Sequence, residues 1–556
     1  MIVPMKHLDL ICIASSKEAT LLGLRELGAV HIDLSEASGV SFADARREAA
    51  DAATAVRLVR KARENSEDKD ADLRPLSVGG VLALAADKAK LEEERDRLNA
   101  EIRKYSCYGD FDPVLAEKLL KDVAGLRDYV ELPEKLPSMR FSKFIEKLDR
   151  VENRIRIVDS KLALVDEKLI LAEFPSLEDR IKFEAAAEIM SSKGELAVVS
   201  GWVAETSLEK LRKVASENGW GVLLRDPTTE ENPPTLVTPP KFFKPVKALF
   251  DGLGIAPAYT EADVSVPFMC YFSLFFAMLV GDGAYGAIFL AATLFGWKKY
   301  RQNPGNLVIR SWLIMMTVFS ASTVLWGLLS NTWFGAQIPW FKDWPTVQWL
   351  ADPSYQNMML LCFTIGVSHL ILARLWNGIC KINDSTAIAE FGWAGILLFM
   401  YFVTNSIVGI FASIPKVMFY VFGVSLIAVF GFTVKPAELK SRGAELGMLP
   451  LNIMSALGDI ISYVRLFAVG LASVKVAENF NSMATGLLLG ADDWYIKAIM
   501  SVLMVAILIV GHGLNLAMAG LSILVHAVRL NTLEFSNHKG ISWAGYAFKP
   551  FKKTKE

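Results

Sequence analysis

Residues 451–489 read LNIMSALGDIISYVRLFAVGLASVKVAENFNSMATGLLL. This apolar run is about twice the length that a helix needs to cross a bilayer. Arg465 lies near its middle. A guanidinium does not give up its proton in a protein, and holding that charge at the centre of a membrane helix costs at least ~2.5–3.5 kcal/mol. Such a residue faces protein or a water-filled path, and it typically serves ions. The plainer alternative is an arginine that snorkels to a head group or pairs with a nearby carboxylate.

Working outward, the composition of the chain changes sharply near residue 240. Residues 1–240 hold 36 Lys and Arg against 44 Asp and Glu, whereas residues 241–556 hold 23 against 16. The pattern predicts a soluble domain followed by a membrane domain, with a mean hydropathy of +0.32 averaging the two. The formal net charge of −1 argues against a nucleic-acid partner, which would select a basic face. The five cysteines (Cys12, Cys107, Cys270, Cys362 and Cys380) show no CxxC spacing and read as small apolar residues. The first turns carry Lys6, His7 and Asp9 and no long apolar stretch. They are not a signal peptide, so the N-terminal domain is expected in the cytoplasm.

In that domain, 8–13 reads as a strand, 18–27 as a helix and 30–34 as a strand. A second such unit follows, with strands at 195–203 and 221–225 around a helix at 207–218. The two units are expected to pack together as α/β lobes, spanning 1–40 and 195–235. Between them, about 41–194 reads as a coiled-coil arm. Helices at 41–67 and 81–104, with Leu82, Leu84, Leu91 and Leu98, are answered by a return helix over 141–173. That helix carries Ile145, Leu148, Val151, Ile155, Val158, Leu162, Val165 and Leu169 at heptad-like steps. Helices of this length reach ~40–50 Å. The stretch 109–137 forms a small distal tip. A plain dimerisation coil is the structural alternative.

Apolar segments in the second half fall near 268–280, 283–297, 309–334, 356–376, 390–411, 413–433, 451–487 and 496–530. The first two are short and are separated by Gly281 and Asp282, which predicts a hairpin. Eight spans place both termini on the cytoplasmic side. The basic residues agree. Lys298, Lys299, Arg301, Arg374, Lys381, Lys435, Lys440, Arg442, Lys549, Lys552, Lys553 and Lys555 fall on the inner side. Lys342, Lys416 and Lys497 fall outside. The last two spans are long enough to tilt strongly or run on into the cytoplasm. The fold expected is therefore mainly α: a cytoplasmic domain over 1–240 with α/β lobes and a long antiparallel coiled-coil arm, then an eight-helix transmembrane domain over 241–556 with two long tilted C-terminal helices.

On a helical wheel, Arg465 shares a stripe with Gly458, Ile461, Ser462, Val469, Ala472 and Val476, so a neighbouring helix can approach it closely. Asp459 and Glu478 point away from this stripe, and Lys475 and Glu478 are spaced to pair. In the final span Asn515, Ser522 and Arg529 recur every seven residues, with Gly511, Met518, Val525 and His526 beside them. The stripe reads as a hydrated path or, alternatively, as polar contacts that hold helices together. No GxxxxGK[ST] loop is present, so the chain is not expected to hydrolyse ATP itself. Residues 281–286 match GxGxxG but lie between apolar spans, outside the strand–helix setting of a dinucleotide site. The six histidines lack metal spacing. No cofactor is expected.

Several segments together resemble the large membrane subunit of rotary V/A-type ATPases, called subunit I in prokaryotes and subunit a in eukaryotes. They are FFAMLVGDGAYG at 275–286, SYVRLFAVGLA at 462–472, GHGLN at 511–515, VHAVRLNTLEF at 525–535 and FKPF at 548–551. Glu231–Thr235 and Tyr259–Asp263 add to the resemblance, which covers essentially the whole chain. The ordered SYxRL and VHxxRLxxxEF pair is its most specific part.

The resemblance implies a non-catalytic stator in the prokaryotic cytoplasmic membrane. Arg465 and Arg529 would face a rotating proteolipid (c/K) ring, and Glu478, Asn515, Ser522, His526 and Glu534 would line two ion half-channels for H⁺ or Na⁺. It also implies peripheral-stalk E/G-type partners, and a central-stalk C/d-type subunit and soluble A/B head reached through the complex. The sequence departs from the family at 109–137, where only a reduced distal lobe fits, so a second stalk attachment there lacks support. Ser473 stands where the eukaryotic subunit often has a histidine, which removes a relay at that position. Asp263-Val-Ser replaces the usual DPT. Two other classes stay open: a standalone secondary transporter with a regulatory arm, which would need inverted repeats, and a structural anchor for a coiled-coil scaffold.

Overall fold

The computed structural model of the chain describes residues 2–34, 37–64, 73–123, 133, 135–228, 230–302, 304, 307–337, 339, 355–434, 444, 446–489 and 494–553. It is mainly helical and divides into two compact units. One is Met5–Asp226 with Lys549–Glu556, and the other is Met1–Pro4 with Pro227–Phe548.

In the first unit, strand β1 (Met5–Ile13) buries Leu8, Leu10 and Cys12 on one face and Met5 at its start on the other. It is followed by α1 (Lys17–Leu27) and β2 (Val30–His31). Five helices intervene: α2 (Val40–Glu64), α3 (Val78–Tyr105), α4 (Pro113–Asp122), α5 (Phe141–Ala163) and α6 (Glu167–Ile189). The chain then returns through β3 (Ser191–Lys193), β4 (Leu196–Ala204), α7 (Leu208–Asn218) and β5 (Gly221–Arg225). The sheet runs β2-β4-β1-β5, with β3 on β4. β1 is antiparallel to both β4 and β5, in register Met5 to Ala204 and Leu8 to Leu224. Gly28 and Gly219 end α1 and α7 in the left-handed region, at φ 59° and 67°, where a Cβ is penalised. Phe551 completes the core with Leu21, Leu24, Val30 and Leu211, and its N–H donates to the Val30 carbonyl at 2.7 Å.

The helices of this unit pack through seven-residue spacings. Leu91, Leu98 and Tyr105 of α3 meet Phe144, Val151 and Ile155 of α5. Three details differ from the sequence reading, one of them Leu169, which is 49% exposed. Ile145 is 42% exposed, and Phe144 occupies the seam instead. The return helix is also two helices, α5 and α6, parted at 164–166, where the Asp166 carboxylate accepts from the Lys168 N–H and caps α6. In the tip, Asp112 caps α4 and pairs with Arg140. Residues 124–132 and 134 of the tip lie outside the described residues.

The second unit contains α8 (Val246–Leu253), α9 (Ser265–Val280), α10 (Gly283–Gln302), α11 (Leu307–Ser330), α12 (Tyr355–Cys380), α13 (Thr386–Ile407) and α14 (Lys416–Phe432). It ends with α15 (Leu449–Ser462), α16 (Val464–Leu489) and α17 (Trp494–Ser522). α9 is apolar all round and buried along most of its length, with Phe268, Phe272, Phe275 and Phe276 in one core with Phe319 and Phe363. Gly281, at φ 68°, and Asp282 reverse the chain. Beyond them Gly283 abuts Gly327 so closely that a Cβ on Gly327 would lie 2.1 Å from the Gly283 Cα.

Among the described residues, five helices are long and apolar enough to cross a membrane: Leu307–Ser330, Tyr355–Cys380, Thr386–Ile407, Leu449–Leu487 and Trp494–Lys539. Ser265–Val280 and Lys416–Phe432 are shorter apolar helices. Lys342, Lys435, Lys440, Arg442 and Lys555 lie outside the described residues. Arg374, read above as a loop charge, sits within α12, where its guanidinium bonds Glu390 at 3.1 Å.

Candidate functional site

The two longest apolar helices are both locally irregular. A turn at Tyr463 separates α15 from α16. Beyond α17, Ile523–Ala527 and Leu530–Phe535 are π-helical before α18 (Ser536–Lys539). Wider turns of this kind recur at functional positions, because they re-aim side chains without ending the helix. Tyr463 is fully buried, and its hydroxyl lies 2.8 Å from His369 Nδ1. The His369 ring is stacked between Tyr271 and Phe535 at 4.0 and 4.4 Å. Gly366 leaves room for the tyrosine, since a Cβ there would lie 2.5 Å from Tyr463 Cγ.

Immediately after the turn, the Arg465 Nε donates to the Ser462 carbonyl at 2.9 Å, and Nη2 donates to Glu534 Oε1 at 2.5 Å. Arg529 Nε is 3.6 Å from the same oxygen. The Glu534 side chain is 5% exposed, against 22% for Arg465 and 55% for Arg529. One carboxylate thus faces two guanidinium groups on the irregular parts of two helices. Glu534 Oε2 and His526 Nδ1 are buried without a hydrogen-bond partner among the described residues. Met454, Gly458, Ile461 and Ala472, on the Arg465 side of α15 and α16, are exposed, and among the described residues nothing lies within 4 Å of a Cβ placed on Gly458. Of the stripe read around Arg465, Gly458, Ile461 and Ala472 are therefore open, whereas Ser462, Val469 and Val476 are half-buried.

Along the first half of α16, a cavity of about 260 Å³ is lined by Leu466, Phe467, Gly470, Val474, Lys475 and Glu478, with Ser330, Thr332 and Gln337 also in its wall. It extends along α16 from the residue after Arg465 to Glu478, ~18 Å at the helical rise. Glu478 itself is paired with Lys475 at 2.6 Å.

Asn515 belongs to a separate buried network. Its Nδ2 donates to the Tyr285 hydroxyl at 3.0 Å and to the Ser473 carbonyl at 2.9 Å, and its Oδ1 accepts from Ser473 Oγ at 3.1 Å. Tyr285 continues to His512 Nδ1 at 2.8 Å, and His512 Nε2 lies 3.1 Å from Asn481 Oδ1. Beside it the Asp282 carboxylate accepts from the N–H groups of Ala284, Phe334 and Gly335.

The structure therefore brings Arg465, Arg529 and Glu534 together and leaves Glu478 and Asn515 apart from them. Asn515, Ser522 and Arg529 do not share one face: they are buried, half-buried and exposed in turn. The buried face of this helix instead runs through Gly511, Asn515, Ala519, Ile523 and Ala527. A seven-residue stripe drifts ~20° per repeat on a straight helix, and the π turns shift it further.

Sequence reasoning also missed a second ionic cluster. His538 Nε2 is 3.0 Å from Asp459 Oδ2, and His538 Nδ1 accepts from Arg374 Nε at 3.2 Å. Arg374 and Lys381 both bond Glu390, at 3.1 and 2.8 Å. Glu390, a charge within an apolar helix, was its available signal. Among the described residues no group of three or more His, Cys, Asp or Glu side chains could hold a metal ion.

Five helices long and apolar enough to cross a membrane, the two longest joined by the half-buried Arg465 and the buried Glu534, fit a membrane protein. The relatives are more particular. At 28% identity over the full length of both chains, the protein is similar to V-type ATP synthase subunit I of Borreliella burgdorferi. It is 26% identical to V-type ATP synthase subunit I 1 of Treponema pallidum, over 99% of this chain and 100% of the relative. The A-type ATP synthase subunit I of Methanocaldococcus jannaschii matches at 24%, over 64% of this chain and 55% of its own. No family model matches. The resemblance read from the motifs thus has named relatives in bacteria and archaea, two of them full length.

Proposed function

We propose that this chain is the ion-translocating stator subunit of a prokaryotic rotary V/A-type ATPase, non-catalytic in itself. The observation that carries the reading is the Arg465–Glu534 pair, with Arg529 alongside and Gly458, Ile461 and Ala472 exposed on the Arg465 side of the helix. A carboxylate on a proteolipid ring crosses lipid only when neutralised by H⁺ or Na⁺. When it reaches Arg465 it is stabilised as the anion and releases its cation. Glu534 holds the guanidinium between such encounters, so the arginine is never an uncompensated buried charge. The same fixed positive charge repels cations and prevents a direct leak between two offset half-channels.

In this reading the cavity from Leu466 to Glu478 belongs to one half-channel. Ser522, His526 and Glu534 belong to the other, and Asn515 ties α17 to α16 through Ser473 and to α10 through Tyr285. Ser265–Val280, Gly283–Gln302 and Lys416–Phe432 join the five longer helices to make eight crossings, with both termini cytoplasmic. The α2, α3, α5 and α6 helices form the coiled-coil arm that meets peripheral-stalk subunits and resists torque. The central stalk and the soluble ATPase head act through the complex, and the cation is selected by the ring carboxylate and its neighbours.

The test is ATP-driven ion uptake into vesicles containing the assembled complex, wild type against Arg465→Gln, with pH- and Na⁺-sensitive dyes read in parallel. Loss of uptake at matched assembly is expected, and the responding dye names the ion. Unchanged uptake in the variant, or uptake in wild type that needs no ATP, would overturn the reading and favour a standalone transporter.

A further inference from the structure

The Asp459–His538 bond and the Arg465–Glu534 pair are two cross-links between the same two segments. Asp459 precedes Arg465 on one segment, and His538 follows Glu534 on the other, so the segments run antiparallel. His538 is 5% exposed, and its turn is held from the backbone as well. Asn377 Nδ2 donates to the carbonyls of His538 and Lys539 at 3.1 and 3.2 Å, and Lys539 Nζ donates to Asn377 Oδ1 at 2.6 Å.

The hydrogen bonds fix which nitrogen of His538 carries the proton. An arginine Nε always bears hydrogen and can only donate, so the His538 Nδ1 that receives Arg374 holds a lone pair. The single ring proton is then on Nε2, where it donates to Asp459 Oδ2. With a neutral imidazole, Asp459 and Glu390 already face three cations, Arg374, Lys381 and, through Asn377, Lys539. A second proton would face one N–H against another at 3.2 Å and leave an extra positive charge in the cluster.

We propose that His538 is a positioning residue, held as the neutral Nε2–H tautomer, which sets the register at which Arg465 meets Glu534, and that no transported proton passes through it. This rests on the ion-translocation reading above.

A glutamine can supply the same pair of functions, an amide oxygen to accept from Arg374 and an N–H to donate to Asp459. In the assembled complex, His538→Gln is expected to keep ATP-driven uptake within about twofold of wild type. His538→Ala and His538→Lys are expected to lower it about tenfold or more at matched assembly and ATPase activity, because the paired charges lose their register. Loss of uptake in His538→Gln to the level of Arg465→Gln would instead mark a proton relay and overturn the proposal, as would full uptake in His538→Ala.

A second measurement does not depend on transport. Nitrogen-15 NMR of the histidine-labelled full-length chain in bilayers, with His538→Gln identifying the resonances, should give one protonated and one unprotonated ring nitrogen at neutral pH, with the proton on Nε2. An imidazolium or an Nδ1–H tautomer would overturn the proposal. A wild-type complex without ATP-driven uptake would discard the ion-translocation reading while this spectrum still decided the tautomer.

Discussion

At the scale of single residues, Arg465 and Glu534 form a pair whose members are unequal in burial, 22% and 5% exposed. Removing the more buried partner leaves the guanidinium with only the Ser462 carbonyl, at 2.9 Å from Nε, and solvent at its exposed side. Glu534→Ala is therefore expected to destabilise the folded membrane unit by about 3–5 kcal/mol. Glu534→Gln should cost less, because its amide oxygen still accepts from Nη2. Thermal unfolding of the full-length protein in nanodiscs checks the order of the two. Equal melting temperatures for wild type and Glu534→Ala would show that Arg465 finds solvent or another acceptor freely.

At the scale of elements, the α3–α5 seam separates the pattern of spacing from its register. Heptad-like steps were legible in the sequence, but Phe144 and Ile145 are neighbours, and either one continues a helical stripe. Packing resolves the choice, because Phe144 fits beside Tyr105, with ring centroids 6.4 Å apart, while Ile145 stays 42% exposed. Leu98→Ala should cost about 2–5 kcal/mol, whereas Ile145→Ala should fall within about 1 kcal/mol. Hydrogen exchange over residues 91–105 of the full-length chain reads the difference. Similar protection losses in both variants would contradict this register. The final helix teaches the same lesson in the membrane unit. Its polar residues were found by spacing, but π turns that no spacing rule signals decide which of them meet.

Across each unit as a whole, distant segments of the chain complete local cores. His31, 9% exposed, lies with Nδ1 3.0 Å from the backbone of Lys549, two residues before the buried Phe551. Burial lowers its pKa from the ordinary value near 6.5, outweighing the backbone bond and Asp33, which raise it. The folded form therefore binds fewer protons than the unfolded one. Stability from this site is complete above about pH 6.5 and is lost as the pH falls through the lowered value. The protection factor of the Phe551 amide, corrected for its intrinsic exchange rate, should accordingly be lower at pH 5 than at pH 7.5. His31→Gln should flatten that dependence. A protection factor unchanged between the two pH values in wild type would contradict it.

The sequence by itself determined the change of composition near residue 240, the apolar runs, the charged residues within them and the motifs that carry the subunit I resemblance. Each of these follows from local composition or short-range spacing, which is all that transfer free energy and helical periodicity require. The structure draws the boundary between its units at Asp226 and Pro227 and gives residues 549–556 to the first unit. The tertiary structure alone decided that Glu534 is the counter-ion of Arg465, that Asp459 meets His538 across the same two segments, and that Asn515 joins Tyr285 and His512. These contacts depend on the relative rotation and register of helices far apart in sequence. Those quantities are set by ring packing around α9, by glycine contacts such as Gly283 with Gly327, and by the breaks at Tyr463 and the π turns.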